Sequence, residues 1–275
     1  MNWLVALAIA AAAPLGQTPD PVGTVLDVQG QWILEGKPPV TLERGTPLPS
    51  GGRIRPPQTP KPGDRLLGAL VPDADSTQTL RVNCDTRGAC SRNVQLPTLP
   101  PSSLASSVFR HVREAFVLMF RDKALLASTM ARADDGPRDA VVRVESGAVD
   151  LTPAVAELPN QQYIARFSPV EPPGDSTKPV ESAAFMPGRS QSVRARDLRP
   201  GLYRLELVVA GEYTRAGADA WVYAAEASRF ESATDAFKRA SRTADGWRDA
   251  VDVSTRRAFL RAFLLSLARD PSLRR

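Results

Sequence analysis

The 275 residues carry 43% apolar and 24% charged side chains, the balance of a folded globular chain, which excludes disorder as its overall state. One histidine and two cysteines leave few ligands for a zinc site built from those residues. The net charge is +5, and eleven basic against six acidic residues between Arg229 and Arg275 carry all of it.

The chain opens on an unbroken apolar run, Trp3 to Ala13, followed by Pro14, Leu15 and Gly16. An apolar stretch of about 7–15 residues closed by small residues has the form of a secretory signal peptide. A membrane-spanning helix needs about 20 apolar residues, and no run here reaches that length. Residues 1–16 are therefore expected to be a cleaved leader, with Ala10-Ala11-Ala12 and Gln17 marking alternative cleavage points. Without a cysteine after the run, a lipoprotein anchor is not expected. The predicted location is periplasmic or secreted.

Residues 17–96 are predicted to form a small β domain. Val25 to Val28, Trp32 to Leu34, Val40 to Leu42, Ile54, Arg65 to Val71, Thr79 to Val82 and Val94 to Leu96 are short apolar runs punctuated by Gly and Pro. The spacing Gly23-x-Val25-x-x-Val28-x-Gly30, then Leu42-x-x-Gly45-x-x-Leu48-x-x-Gly51-Gly52-x-Ile54, resembles the FecR-type domain. That resemblance implies a β module of the bacterial envelope. Cys84 and Cys90 flank a polar, Gly-containing turn and suit a structural disulfide in an oxidising compartment. Trp32 is a candidate partner-binding aromatic, with a place in the core of this domain as its other reading.

A Pro-rich break at 96–101 opens a linking segment, 97–136. Leu104, Val108, Val112, Phe116 and Met119 recur at helical spacing, which predicts an amphipathic helix reaching about Arg121 and capped by Ser102 or Ser103. A second helical piece is expected over 125–131. His111 lies beside the apolar stripe, where a surface or boundary place is expected.

For 137–226 the β pattern returns. Strands are predicted at 140–144, 148–151, 163–167, 183–186, 202–209 and 220–225, with a flexible insertion at 169–179. Leu198-x-Pro200-Gly201-x-Tyr203-x-Leu205-x-Leu207 resembles the tyrosine corner of immunoglobulin and fibronectin type III sandwiches. The resemblance implies a β-sandwich with the Tyr203 ring inside and its hydroxyl bonded to nearby backbone.

Two helices are predicted within 227–275. Phe230, Thr234 and Phe237 share one face, while Phe259, Phe263 and Leu267 share another that is expected to pack on the sandwich together with Trp247. Arg256, Arg257 and Arg261 beside that aromatic face form a candidate partner-binding or membrane-surface patch. The predicted fold class is thus mainly β with helices: a small β domain, a linking helix, an immunoglobulin-like sandwich and a C-terminal helical pair.

Catalytic motifs are sparse. The chain lacks G-x-S-x-G, a phosphate-binding G-x-x-x-x-G-K-[ST], H-E-x-x-H and S-x-x-K. Asp73, Asp75, Asp134 and Asp135 read as turn carboxylates. No cofactor, metal or catalytic residue is assigned. The leading expectation is a non-catalytic envelope protein that binds another protein or a polymer; export argues against nucleic acid as the partner. A carboxylate-dependent glycan or peptidoglycan hydrolase and a sensory component of an envelope signalling system are the alternatives.

Overall fold

The structure is a computed structural model that describes residues 21–71, 78–85, 89–90, 93–99, 107–121, 136–170, 178–188, 192–212, 214–249 and 251–270. The leader, the helical piece at 125–131, Asp73, Asp75, Asp134, Asp135 and most of the 169–179 insertion lie outside these residues. The described part is mainly β, with three sheets and four helices. No helix within it is long and apolar enough to cross a membrane.

The N-terminal unit contains eight strands: β1 (Pro21–Gln29), β2 (Ile33–Leu34), β3 (Val40–Thr41), β4 (Pro47–Pro49), β5 (Arg53–Arg55), β6 (Arg65–Leu70), β7 (Gln78–Asn83) and β8 (Val94–Gln95). They form two four-stranded sheets, ordered β4-β1-β6-β7 and β3-β2-β5-β8, with every pairing antiparallel. Val25, Leu48 and Leu66 of one sheet and Leu34 and Ile54 of the other fill a single core. Trp32 belongs to it. Its ring is wholly buried and Nε1 donates to the Gln29 carbonyl at 2.9 Å, so it fills the core and offers no anchor to a partner. Cys84 and Cys90 are joined in a disulfide beyond the end of β7.

Helix α1 (Ser107–Arg121) buries Val112, Ala115, Phe116 and Met119, the i, i+3, i+4, i+7 stripe expected of one apolar face. His111 departs from expectation. It is buried, at 3% exposure, because the neighbouring helix supplies polar partners to its ring.

The second β unit runs through β9 (Ala140–Glu145), β10 (Ala148–Asp150), the short α2 (Thr152–Val155), β11 (Tyr163–Pro169), β12 (Val180–Glu181), β13 (Ser192–Arg194), β14 (Gly201–Val209) and β15 (Ala220–Glu226). Its strands are hydrogen-bonded in the order β12-β11-β14-β15-β9-β10-β13. All pairs are antiparallel except β15 with β9. Ser146 and Gly147 both take positive φ between β9 and β10, the geometry of a two-residue hairpin turn matched to strand twist. The strand expected at 183–186 is reduced to a bridge between Phe185 and Tyr163, and β12 and β13 flank it instead. Both are too short to give a period-two pattern.

One face of this unit has its own core. Val142, Val149, Phe167, Tyr203, Leu205, Leu207 and Val222 line it, closed by Val155, Phe185 and Leu198. Tyr203 sits as its motif implies: the hydroxyl donates to the Arg199 carbonyl at 2.9 Å and the ring meets Phe167 edge-on at 6.2 Å. Burial raises the phenol's pKa, which keeps it a donor. The other face presents Val141, Leu202, Trp221, Tyr223 and Ala225 to a core shared with the N-terminal unit and the helices. Strand β15 is thus covered on both sides, which explains its continuous apolar run.

Two helices complete the chain, α3 (Ala227–Asp245) and α4 (Val253–Arg269). Asp252 caps α4 by accepting from Thr255 N at 2.6 Å. Burial alone would raise the Asp252 pKa, but bonds from Ser254 and Thr255 and the Arg44 charge bring it below its ordinary value. Helix α4 packs on α1 and α3 and against β14 and β15.

Replacing Tyr203 with Phe removes one hydrogen bond while keeping the ring, and is expected to cost about 1 kcal/mol without altering the fold. Urea unfolding of the two proteins checks this; an unchanged midpoint would mean the corner contributes no stability.

Candidate functional site

Helix α4 is buried almost throughout, from Thr255 to Leu267, yet its sequence is not uniformly apolar. Two of its i, i+4 pairs point in different directions, as helical geometry requires. Phe259 and Phe263 meet aromatic rings of α1 and α3: Phe259 lies 5.1 Å from Phe116, and Phe263 lies 6.5 Å from Phe237. Trp247, in the turn between α3 and α4, packs on Phe116 and Phe259 at 5.3 and 5.0 Å. The aromatic face therefore joins helix to helix, within the core that α4 also shares with the outer face of β14 and β15.

The side that meets the β unit carries Arg257 and Arg261. Arg257 Nε lies 3.3 Å from Asp139 Oδ2, and Arg261 Nε lies 3.3 Å from Asp139 Oδ1. Both guanidinium groups also donate to the Asp219 carbonyl, at 2.5 and 2.8 Å, and Arg261 lies 3.6 Å from the Asp219 carboxylate. The parallel pairing of β9 and β15 aligns the starts of the two strands, so the aspartates preceding them reach the same end of the sheet. Asp139 also accepts from Trp221 N at 2.6 Å, and the Trp221 ring lies under the Arg261 guanidinium at 5.5 Å. Gly136 permits the approach that brings Asp139 in, since a Cβ there would stand 2.6 Å from the Ala218 carbonyl oxygen.

Two buried cations thus face two carboxylates, the compensation a desolvated charge requires. Burial lowers the Arg261 pKa, Asp139 and Asp219 oppose that, and Arg257 reinforces it; a guanidinium stays charged regardless. The network continues outward through Arg204, which pairs with Asp219 and Glu206 at 3.1 Å each, and Glu206 also pairs with Arg215.

A second polar cluster lies at the other end of α4. His111 Nδ1 stands 2.8 Å from Ser266 Oγ, and Nε2 stands 3.1 Å from Asp270 Oδ2. Arg110 donates to the same Asp270 oxygen at 2.6 Å. Burial lowers the His111 pKa; Asp270 opposes it and Arg110 adds to it. Serine, histidine and aspartate are the residues of a hydrolytic triad, but here the serine bonds Nδ1 and the carboxylate bonds Nε2. Ser266 is wholly buried, so its hydroxyl cannot reach a substrate in this fold. The cluster is built to join α1 to α4.

At the N-terminus of α4, Arg44 of the first β unit donates to Thr255 Oγ1 at 3.2 Å and stacks over Phe120 of α1. Gly45, with φ of +89°, lets the chain turn tightly against that ring. A recess of about 20 Å³ between β1 and α1, lined by Val22, Thr24, Val71 and Phe116 among others, is the size of about one water.

The arginine patch expected on the surface is therefore corrected in two of three positions. Arg257 and Arg261 turn inward to the aspartates, and a helix enclosed in this way has no free face for a membrane. Arg256 reaches solvent with a fifth of its side chain and lies 3.6 Å from Asp245. Among the described residues, no group of three or more His, Cys, Asp and Glu is placed to hold a metal ion. The one local signal of the His111 cluster is Ser266 itself, a polar residue inside the apolar run Phe263 to Leu267.

Asp139→Asn would leave Arg257 and Arg261 short of one buried negative charge, and is expected to cost about 3–5 kcal/mol. Glu157→Gln, at an exposed pair with Arg138, is expected to cost under about 1 kcal/mol. Denaturant midpoints of the two variants check the contrast, and equal losses would refute it. No known protein family, curated protein or solved structure matches this chain.

Proposed function

We propose that this is an exported, non-catalytic binding protein of the bacterial envelope, recognising another protein or a polymer through its β units. The observation that carries the reading is where the reactive side chains go. The single histidine with its serine and aspartate, and the buried arginine–aspartate cluster, are used to join α4 to its neighbours and are closed to solvent. Exposed ion pairs such as Arg166–Glu181 and Arg65–Asp27 lie on strands of both β units.

The strand order of the second unit favours an immunoglobulin-like module. Assigning β9, β10, β11, β12, β13, β14 and β15 to A, B, C, C′, E, F and G gives the groups A-B-E and C′-C-F-G, joined where A pairs with G. The tyrosine corner then falls at the start of F, its place in such sandwiches. In the N-terminal unit, Gly30, Gly45 and Gly51 stand at positive φ in the turns that a FecR-type pattern requires. The Cys84–Cys90 disulfide suits an oxidising compartment.

The test is affinity capture with the exported full chain as bait from a detergent-solubilised envelope fraction, followed by titration of the captured species. One saturable partner, a protein or an envelope polymer, is the expected result. Cleavage of peptidoglycan or another glycan by the purified chain, with no saturable partner, would overturn it in favour of a carboxylate-dependent hydrolase.

A further inference from the structure

The buried cluster at the end of α4 has the proton inventory of a switch. Asp270 as a carboxylate only accepts, so His111 Nε2, 3.1 Å away, must carry a hydrogen. In the neutral ring Nδ1 is then the acceptor, and the Ser266 hydroxyl 2.8 Å away donates to it. All polar positions of the ring are filled in that state.

Adding a proton forces a rearrangement. Nδ1 becomes a donor, so Ser266 must turn its hydrogen elsewhere. The 2.8 Å bond reverses, Nδ1 donating to Ser266 Oγ, and the acceptor at hand for the Ser266 hydrogen is the His111 carbonyl oxygen at 3.4 Å, a long and weak bond. The new cation is also enclosed, with the ring at 3% exposure and the edge of Phe263 at 6.0 Å. The charged groups acting on the ring are Asp270 at the end of α4, which favours protonation, and Arg110 on α1, which opposes it. Arg110 already occupies the Asp270 oxygen that a charged imidazole would pair with.

We propose that His111, Ser266 and Asp270 form an acid-released latch that holds α1 against α4. Burial and Arg110 outweigh Asp270, so the docked imidazole titrates below the value of about 6.5 for a free one. Undocked α1 therefore binds the proton more tightly. Above pH 6.5 the latch is at full strength, and it weakens as pH falls from there to the docked titration point. Release uncovers the Phe116 contacts with Phe259 and Trp247.

Because the chain has one histidine, a single imidazole resonance reports the event. The experiment is an NMR titration of the full chain labelled at histidine, with hydrogen–deuterium exchange of residues 107–121 at pH 7.5 and 5.0, corrected for intrinsic exchange. The imidazole is expected to titrate below 6.5, and α1 to lose protection in acid while β14 keeps its own. Each unit of displacement corresponds to about tenfold more opening at low pH. Arg110→Gln, whose side chain is 62% exposed, is expected to fold, raise the imidazole pKa and shrink the acid-induced loss. An imidazole titrating at or above 6.5, full α1 protection at pH 5.0, or an Arg110→Gln chain with an undiminished acid response would each overturn the latch.

Discussion

Everything in this fold is organised by the need to enclose α4. A helix buried on all sides ordinarily reads as apolar all round. This one carries Arg257, Arg261 and Ser266 inside the protein and ends on buried Asp270. Each of those groups would be costly without a partner, so each fixes where a neighbouring element must sit. Asp139 and Asp219 locate the β unit, and His111 and Arg110 locate α1. Arg44, reaching Thr255, locates the N-terminal unit. The apolar contacts supply most of the attraction, while the polar ones settle orientation because their geometry tolerates little displacement.

The same arrangement explains why the chain has two cores of unlike character. The core inside the second β unit is closed by its own strands and α2. The other passes from the N-terminal sheets through three helices to the outer face of β14 and β15. Disturbing α4 therefore affects the N-terminal unit and one face of the second unit together, while the tyrosine-corner core on the far side is insulated from it.

What could be read from the sequence was local. The stripe Val112, Phe116, Met119, the alternation Tyr203, Leu205, Leu207 and the Gly-punctuated runs before residue 96 each declare an element through its own period, and those elements are present. The Cys84–Cys90 pair was legible for a similar reason, with its partners six positions apart. The candidate site was not. Asp139 precedes a strand and looks like any turn carboxylate, and its arginine partners lie 118 and 122 positions away. His111 and Ser266 are 155 apart. Nothing in the α4 sequence tells an inward arginine from an outward one, since both fit a helix of mixed face. That distinction belongs to the parallel register of β9 and β15, which no local pattern encodes.

That register also sets an order of assembly. Strand β9 cannot complete its pairing until β15 has been made, and Asp139 meets its arginines only when α4 follows. At synthesis rates of about 5–20 residues per second, the aspartate waits roughly 6–24 s for them. Once β15 has been made, Trp221 and Tyr223 still lack the α4 cover until residues 253–269 follow. A ribosome-bound chain lacking α4 would thus keep a broad apolar surface open and stay receptive to chaperones. Closure then comes late, when the last long helix of the described fold joins the strands and helices made before it.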